Sequence, residues 1–328
     1  MPEADHLITT LDLKKYFFVG SSFLGTSKGR AALQAVDGVS LTIRRGETLG
    51  LVGESGCGKS TLGRTLLMLE EPTAGQIDFD GIQISSLKSA EIAKLRRRMQ
   101  MVFQDPLASL NPRKSVRQII HLPLRLSGLY DKSSAADRLA KLLKLVGLAP
   151  EHAARYPHQL SGGERQRVGI ARALAMEPDF VVADEPVASL DVSIQAQIIN
   201  LLKDLQARLH LTLLFISHDL RLTSYVSHRI AVMYLGKIVE ICPAEELFGR
   251  MAHPYTRTLI SAVPSIGTEV RRERIIVTGE PPDPTNPPPG CRFHPRCPEE
   301  IRQECREAEP GLKEIAPGHL AACHLIGR

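Results

Sequence analysis

The sequence lacks several features that mark broad classes of protein. No run of about 18 consecutive apolar residues occurs, so we expect no transmembrane helix. The first residues, MPEADHLITT, lack the basic and then apolar segments of a secretory signal peptide. We therefore expect the chain to fold in the cytosol, where disulfides are rare. The net charge is only +5, and no basic segment is interleaved with aromatic residues that could stack on bases, so we expect no nucleic-acid partner.

Short apolar runs rich in β-branched residues recur between helical patterns, which is typical of buried parallel strands. The spacing predicts amphipathic helices over 133–147 and 193–210. After about residue 265 prolines become dense, which indicates a loop-rich appendage. The sequence therefore predicts an α/β fold, with strands at 7–18, 100–103, 180–184, 212–217 and 230–234.

A glycine-rich segment, LGLVGESGCGKST at 49–61, has the pattern G-x-x-x-x-G-K-[ST]. Glycines let the backbone curl around phosphates, Lys59 brings a positive charge to the β- and γ-phosphates, and the Ser60 hydroxyl can bind Mg²⁺. A helix that begins near Ser60 directs the positive end of its dipole at the same phosphates. We predict that the loop binds a nucleotide through Gly53, Glu54, Ser55, Gly56, Cys57, Gly58, Lys59, Ser60 and Thr61.

Two carboxylates end the apolar run FVVADE at 180–185. Buried acids are costly unless a cation is near, so their presence beside an apolar strand indicates a charged ligand. Asp184 can hold Mg²⁺, and Glu185 can polarise an attacking water molecule.

The segment LSGGERQRVGIARAL at 160–174 adds a second helix start suited to a phosphate, and one nucleotide cannot use both helix ends from the same side. LSGGERQR resembles the signature of ABC-type ATPases, and the two nucleotide motifs occur with it in the expected order. Further motifs fit the same family: Gln104 in VFQDP resembles its Q-loop, Asp191 in SLD its D-loop and His218 in FISHD its switch histidine. Tyr16 or Phe17 is the aromatic residue expected to stack on adenine.

The resemblance covers about residues 7–250 and implies a P-loop ABC-type ATPase domain over 1–250. This domain has a RecA-like core, an antiparallel β subdomain and a helical subdomain at about 105–165. It implies that two such domains close over ATP, so that Ser161, Gly162 and Gly163 contact a nucleotide held by a partner chain. His218 would sense the γ-phosphate, and Gln104 would link the metal to a membrane partner. The Mg²⁺ ligands implied are Ser60, Gln104 and Asp184.

Four of the six cysteines lie beyond residue 290: Cys291, Cys297, Cys305 and Cys323. They are separated by five, seven and seventeen residues, whereas structural zinc sites contain pairs two to four residues apart. Ferredoxin spacings do not match either. The spacing alone therefore leaves an iron–sulfur cluster, zinc or no metal open.

The segments HPYTRTLISAVP at 253–264 and GEPPDPTNPPPGCRFHPRC at 279–297 resemble the tail of ATPase subunits of dipeptide and oligopeptide importers. Members with all four cysteines are associated with a four-iron four-sulfur cluster. The resemblance therefore implies a tail over 251–328 that carries a cluster of structural role. Zinc is the alternative, with His294, His319 and His324 as substitute ligands.

The importer resemblance implies an ATP-hydrolysing subunit at the cytoplasmic face of the membrane. It would work with a second ATPase subunit, distinct but similar, with two permeases and with an extracytoplasmic substrate-binding protein. Importers of nickel chelates or of glutathione use the same type of ATPase and remain an alternative. A soluble ABC ATPase acting on nucleic acid or the ribosome is a weaker one, since such proteins usually carry two ATPase heads in one chain.

Overall fold

The structure is a computed structural model that describes residues 5–19, 31–263, 275–277, 279–299 and 301–326. The strands are β1 (His6–Val19), β2 (Ala31–Arg44), β3 (Thr48–Val52), β4 (Ala74–Phe79), β5 (Ile82–Gln83), β6 (Met99–Val102), β7 (Phe180–Asp184), β8 (Thr212–Ile216), β9 (Arg229–Tyr234), β10 (Lys237–Pro243), β11 (Lys313–Ala316) and β12 (His319–Ala321). The α-helices are α1 (Lys59–Leu66), α2 (Ser89–Leu95), α3 (Pro106–Ser109), α4 (Val116–Leu126), α5 (Ala135–Leu145), α6 (Gly162–Leu174), α7 (Val192–Leu209), α8 (Leu220–Val226), α9 (Pro254–Ser261) and α10 (Gln303–Glu307). Short 3₁₀ helices cover Ile84–Ser86, Pro150–Ala154, Pro157–Gln159 and His294–Arg296.

The chain divides into two compact units, each built from several segments. The first unit comprises Met1–Ile8, Thr42–Thr48 and Asp78–Ser217. The second unit comprises Thr9–Leu41, Leu49–Ile77 and His218–Arg328. In the part of the chain that the structure describes, no helix combines the length and apolar character needed to cross a bilayer.

The first unit is organised around parallel strands that carry helices. β7 pairs in parallel with β6 and with β8, and every residue of β7 and β8 is buried. Strands covered on both faces need continuous apolar sequence, which is why these runs lack the polar alternation of a half-exposed sheet. The helix α6 contacts α3, α4, α5 and α7. The predictions of buried parallel strands at 180–184 and 212–217 are thus confirmed.

The helix α7 illustrates how spacing sets a helix boundary and a buried face. Ile198, Ile199, Leu202 and Leu205 recur at helical intervals and are buried. The helix ends at His210, whose left-handed backbone (φ +51°) stops the hydrogen-bond ladder. The helix predicted over 193–210 is therefore confirmed to within one residue at each end.

In the second unit, the end of the chain continues the sheet. β3 runs parallel to β9, while β9, β10, β12 and β11 follow one another as antiparallel neighbours. Glu240 of β10 lies opposite Ala321 of β12. The last two strands of this sheet thus come from the segment predicted to be a loop-rich appendage. The division of the chain at residue 250 stays a prediction.

An aromatic cluster joins the tail to the core of the second unit. Phe293 is 1% exposed, and its ring centroid lies 5.2 Å from that of Tyr234 and 5.3 Å from that of Tyr255. The two tyrosine rings lie 4.6 Å apart. Such edge-to-face and tilted aromatic contacts stabilise beyond the area that they bury. The segment predicted to be a loop-rich appendage therefore contributes to the core of the second unit.

We expect the Phe293→Ala substitution to lower the free energy of unfolding by about 3–5 kcal/mol, because it leaves a cavity among buried rings. Urea-induced unfolding followed by circular dichroism measures the change. The matched control is Phe18→Ala, since Phe18 is 61% exposed and its removal should change stability by less than about 0.5 kcal/mol. Equal effects of the two substitutions would contradict the role of the cluster.

Candidate functional site

The predicted site residues fall into two groups. The second unit contains the glycine-rich loop at 53–61, the aromatic pair at 16–17 and His218. The first unit contains Gln104, the glycines after Ser161, the carboxylates at 184–185 and Asp191.

The loop between β3 and α1 approaches neighbouring backbone so closely that two of its positions admit only glycine. A Cβ atom on Gly58 would lie 1.9 Å from the carbonyl oxygen of Ala35, and φ at Gly58 is +107°. A Cβ atom on Gly53 would lie 2.1 Å from the carbonyl oxygen of Met233. The tight curve of the loop therefore depends on the absence of side chains at both positions.

Lys59 lies inside this curve. It is 5% exposed, and its Nζ donates to the carbonyl oxygens of Gly53 at 2.8 Å and of Glu54 at 2.9 Å. Lys59 is also the first residue of α1. The N-cap residue of this helix is Gly58, so no side chain at the N-cap accepts a hydrogen bond from the first N–H groups of the helix. Backbone N–H groups and a lysine ammonium that converge at a helix start form a binding site for phosphate oxygens. The loop thus fits a triphosphate, and the Ser60 hydroxyl is an oxygen ligand of the kind that Mg²⁺ prefers.

Cys57 belongs to the same loop and is 5% exposed. Burial raises the pKa of its thiol, although the nearby Lys59 acts in the opposite direction. A protonated, buried thiol is a poor nucleophile. Cys57 is therefore suited to packing within the loop rather than to reacting as a thiol.

In the first unit, the two carboxylates at the end of β7 have different surroundings. Asp184 is 2% exposed, whereas Glu185 is half-buried and has an unusual positive φ of +44°. The N–H of Glu185 donates to the carbonyl oxygen of Ile216 at 2.9 Å, which holds this backbone conformation. Strained backbone of this kind is concentrated at functional sites.

Gln104 and Glu185, which were predicted from separate motifs, are in contact. The Nε2 of Gln104 donates to Oε2 of Glu185 at 3.1 Å. Gln104 lies two residues after β6, and Glu185 directly follows the adjacent parallel strand β7. Because parallel neighbours end at the same edge of a sheet, their following residues meet there. The structure thus joins a carboxylate suited to general-base chemistry with an amide that can orient it.

The amino end of α6 is built by a capping box. The Ser161 hydroxyl accepts from the N–H of Glu164 at 3.3 Å, and the N–H of Ser161 donates to the Glu164 carboxylate at 2.7 Å. This backbone hydrogen bond, together with one from His152, lowers the pKa of Glu164 to about 2. A Cβ atom on Gly163 would lie 2.6 Å from Cγ2 of Ile194 in α7. The serine and the glycines therefore set the start of α6 and its close packing on α7.

The neighbouring segment at 189–191 lies beside this helix start. A Cβ atom on Gly162 would lie 3.1 Å from Cδ2 of Leu190, the residue before Asp191. Asp191 is exposed and directly precedes α7. The signature segment and the segment that resembles a D-loop therefore form one continuous surface within the first unit.

The aromatic residues near position 16 differ in their freedom to stack on a ligand. The hydroxyl of Tyr16 donates to the Asp37 carboxylate, and burial together with this hydrogen bond raises the pKa of Tyr16. The ring of Phe17 is covered by Nζ of Lys15, 4.8 Å from its centroid. Phe18, which the sequence did not single out, is the most exposed of the three. The choice of stacking residue stays a prediction.

His218 is exposed at the start of a short helix. The next residue, Asp219, caps α8 by accepting from the N–H groups of Arg221 and Leu222 at 2.9 and 3.0 Å. The cap fixes the backbone next to His218. Its role as a sensor of the γ-phosphate stays a prediction.

The prediction of a four-iron four-sulfur cluster on the tail cysteines is wrong. All four are free thiols, and burial raises the pKa of Cys291 to about 11. Among the described residues, the group of three or more Cys, His, Asp or Glu side chains with ligand atoms within 4.8 Å of one another is Glu240, Cys242 and His319. It includes none of the four tail cysteines. The structural role proposed for the cluster also fails, because β12 and the Phe293 cluster already hold the tail in place.

The zinc alternative finds no support among the described residues either. Nδ1 of His294 and Nε2 of His324 contact the carbonyl oxygens of Cys291 and Ala308. His319 pairs with Glu240 at 2.8 Å, and Glu240 also accepts from the N–H groups of Ala252 and His253 at 2.9 Å. Glu240 therefore has a full set of protein partners without a metal ion.

Comparison with known proteins places these motifs in context. A family model described as ABC transporter matches residues 36–188, and one described as oligopeptide/dipeptide transporter, C-terminal region, matches residues 239–305. The chain is 52% identical over 317 residues to the oligopeptide transport ATP-binding protein AppF of Bacillus subtilis. This alignment covers 96% of this chain and 95% of AppF. It is 54% identical over 293 residues to a putative peptide import ATP-binding protein of Brucella ovis. This alignment covers 89% of this chain and 92% of that relative.

Solved structures show the same architecture. The chain is similar to the ATP-binding cassette MJ0796, in a dimeric structure of a post-hydrolysis state bound to ADP and Pi. The TM-score is 0.64 at 30% identity, over 72% of this chain and 98% of that one. The α/β fold predicted from the motifs is thereby confirmed.

We expect Gly58→Ala to weaken the binding of Mg²⁺–ATP about 5–150-fold, because the added Cβ atom must displace loop backbone at a cost of about 1–3 kcal/mol. Titration with a fluorescent ATP analogue measures the affinity. Gly169→Ala is the control, since a Cβ atom there meets no neighbour within 4 Å and φ is not positive. Unchanged affinity in the Gly58 variant would contradict the close-approach argument.

Proposed function

The chain belongs to the ATP-binding subunits of ABC transporters, in the dipeptide/oligopeptide importer family, and we propose that it hydrolyses ATP to drive the import of di- or oligopeptides. A single observation carries the peptide assignment. One chain carries both the ABC transporter match and, over 239–305, the match to the C-terminal region of oligopeptide/dipeptide transporters. AppF, an oligopeptide transport ATP-binding protein, aligns with almost the whole chain.

The proposed roles follow the geometry of each group. The loop at 53–61 holds the phosphates, with Lys59 supplying the positive charge. Glu185 acts as general base toward the attacking water, and Gln104 orients its carboxylate. Ser60, Asp184 and Gln104 supply oxygen ligands for Mg²⁺, which neutralises negative charge on the phosphates when it is bound.

The remaining proposed contacts are with adenine, with the γ-phosphate and with a nucleotide of a second subunit. Tyr16 or Phe17 stacks on adenine, and His218 senses the γ-phosphate. Ser161, Gly162, Gly163 and Asp191 face a nucleotide held by a second ATPase subunit, which is distinct but similar. Closure of the two subunits over ATP excludes water and places charge on the transferring phosphoryl group.

The proposed assembly contains this chain, a second ATPase subunit and two membrane permeases. An extracytoplasmic substrate-binding protein delivers the peptide to the permeases. The chain would associate peripherally with the cytoplasmic face of the membrane through the permeases.

Gentle detergent extraction of the tagged chain from its native host, with mass spectrometry of the copurified subunits, tests this assembly. We expect two hydrophobic permeases and a second ATP-binding subunit in near-equal amounts. Peptide-stimulated ATP hydrolysis by the reconstituted complex would identify the cargo class. A complex that lacks permeases, or one stimulated only by non-peptide solutes, would overturn the proposal.

We expect Glu185→Gln to keep ATP affinity but to lower turnover about 10²–10³-fold, because the amide cannot accept the proton of the attacking water. Phosphate release and nucleotide binding measure the two properties separately. The control is Glu177→Gln, which makes the same change at another glutamate with positive φ, whose side chain is 80% exposed. Full turnover in the Glu185 variant would remove its assignment as general base.

A further inference from the structure

Two arginines of the tail point into the part of the second unit that forms the nucleotide loop. Arg292 and Arg296 flank the buried Phe293 in the sequence CRFHPRC, residues 291–297, which we call the arginine segment. Their side chains are only 8% and 10% exposed. Arginines this deeply buried need fixed acceptors, so their partners are informative.

Arg296 makes a two-pronged ion pair with the glycine-rich loop. Its Nη1 lies 2.9 Å from Oε2 of Glu54, and its Nη2 lies 3.4 Å from Oε1. Nη1 also donates to the hydroxyl of Tyr234 at 3.4 Å. A planar guanidinium that contacts both oxygens of a carboxylate fixes orientation as well as distance.

Glu54 is thereby held at three points. Its side chain pairs with Arg296, its N–H donates to the hydroxyl of the fully buried Tyr255 at 2.9 Å, and its carbonyl oxygen accepts from Nζ of Lys59. Two of these three partners, Arg296 and Tyr255, belong to the segment that follows β10. The tail thus fixes the loop residue that contacts the phosphate-binding lysine.

Arg292 contacts the turn after β9, and this turn is hydrogen-bonded to the same loop. It donates to the carbonyl oxygen of Leu235 and to Asp37, which also accepts from the hydroxyl of Tyr16. The next residue of that turn, Gly236, donates its N–H to the carbonyl oxygen of Cys57 at 2.8 Å. The arginine segment is therefore connected both to the loop and to the strand that carries the aromatic candidates.

The residues that pack around the arginine segment are held in fixed positions. Phe293 packs against both Tyr234 and Tyr255, and the N–H of Tyr255 donates to Nδ1 of His253 at 3.0 Å. Burial lowers the pKa of His253 to about 3, so its ring is neutral and Nδ1 can accept this hydrogen bond. Two arginines anchored by these fixed residues can hold the loop in one conformation before a ligand arrives, which reduces the ordering cost of binding.

We propose that Arg296, supported by Arg292, is a positioning residue that presets the glycine-rich loop for Mg²⁺–ATP. The inference rests on the proposed function, in which this loop binds the phosphates. A purely structural fastening of the tail makes a different prediction, because loss of the pair would then lower stability and leave nucleotide affinity unchanged.

The decisive comparison is Arg296→Ala against the unchanged full-length chain, with steady-state hydrolysis measured over a range of Mg²⁺–ATP concentrations. We expect KM and the dissociation constant of a fluorescent ATP analogue to rise on the order of tenfold, equivalent to about 1.4 kcal/mol. The kcat should stay within about twofold, because Arg296 does not touch the reacting atoms. Unchanged affinity in a folded Arg296 variant overturns the inference.

A double-mutant cycle tests whether Arg296 acts through Glu54. Glu54→Gln breaks the same pair from the loop side, preserves the shape of the side chain and leaves the tail intact. If the two residues act as one unit, the double variant loses no more affinity than either single variant. If the losses of ATP affinity in the two single variants instead multiply in the double variant, the two residues act independently and the mechanism is overturned. Should Arg296→Ala fail to fold, Glu54→Gln decides alone, and wild-type affinity in that variant overturns the inference.

Two further tail variants separate geometry from charge and from general disturbance. Arg296→Lys keeps a positive charge but loses the planar guanidinium that contacts both carboxylate oxygens of Glu54. The ATP affinity of this variant should lie between those of the wild type and the alanine variant. Arg257→Ala removes a tail ion pair with Glu299 in which both side chains are more than one-third exposed, and it should bind ATP normally. Equal losses in the Arg257 and Arg296 variants overturn the specific role. Failure of the unchanged chain to bind ATP would instead refute the proposed function.

Discussion

The close approach of the glycine-rich loop to its neighbours is the constraint on which the nucleotide site depends. Gly53 and Gly58 leave no room for a Cβ atom against Met233 and Ala35. With side chains excluded, the loop curls tightly enough for Lys59 to reach two of its carbonyl oxygens. The lysine charge and the first N–H groups of α1 are thereby directed to one place, which a wider loop could not achieve.

A second constraint is the continuity of the sheet into the tail. Because β12 pairs with β10, the segment that follows residue 250 is attached to the sheet by backbone hydrogen bonds. Phe293 then enters the core beside Tyr234 and Tyr255. Arg296 pairs with Glu54 of the loop, whereas Arg292 donates to Leu235 in the turn that is hydrogen-bonded to the loop. The tail is therefore a structural component of the unit that holds the loop, and its sequence is constrained by contacts to that loop.

Elements with strong local signals could be predicted from the sequence, and those set by distant contacts could not. The run FVVAD has no polar residue before its final aspartate, so a buried strand was the consistent interpretation of that segment. The loop pattern located Lys59 because its chemistry requires a fixed spacing. The contact of Arg296 with Glu54 spans 242 residues and follows no local pattern, so nothing in the sequence could reveal it.

The error about the tail cysteines has a related cause. Dense prolines predicted a loop-rich appendage, and the importer resemblance implied that a metal cluster of structural role holds it. That interpretation left out contacts outside the tail, whereas Phe293 packs on Tyr234 of β9 as well as on Tyr255 of α9. Composition estimates whether a segment can bury apolar area by itself, but it cannot show that a segment joins a core already present.

The charges of the arginine segment are better explained by geometry than by stability. Ion pairs with a partly exposed member contribute little to the free energy of unfolding, and buried ones are often no more stabilising than apolar contacts of the same shape. Glu54 is one-third exposed, whereas the aromatic cluster beside it is almost fully buried and already secures the segment. Apolar packing would hold the tail in place without specifying the orientation of Glu54. A forked guanidinium does specify it, since both carboxylate oxygens must meet fixed donors. The orientation of Glu54 therefore depends on Arg296, while the attachment of the tail depends on the aromatic cluster of Tyr234, Tyr255 and Phe293.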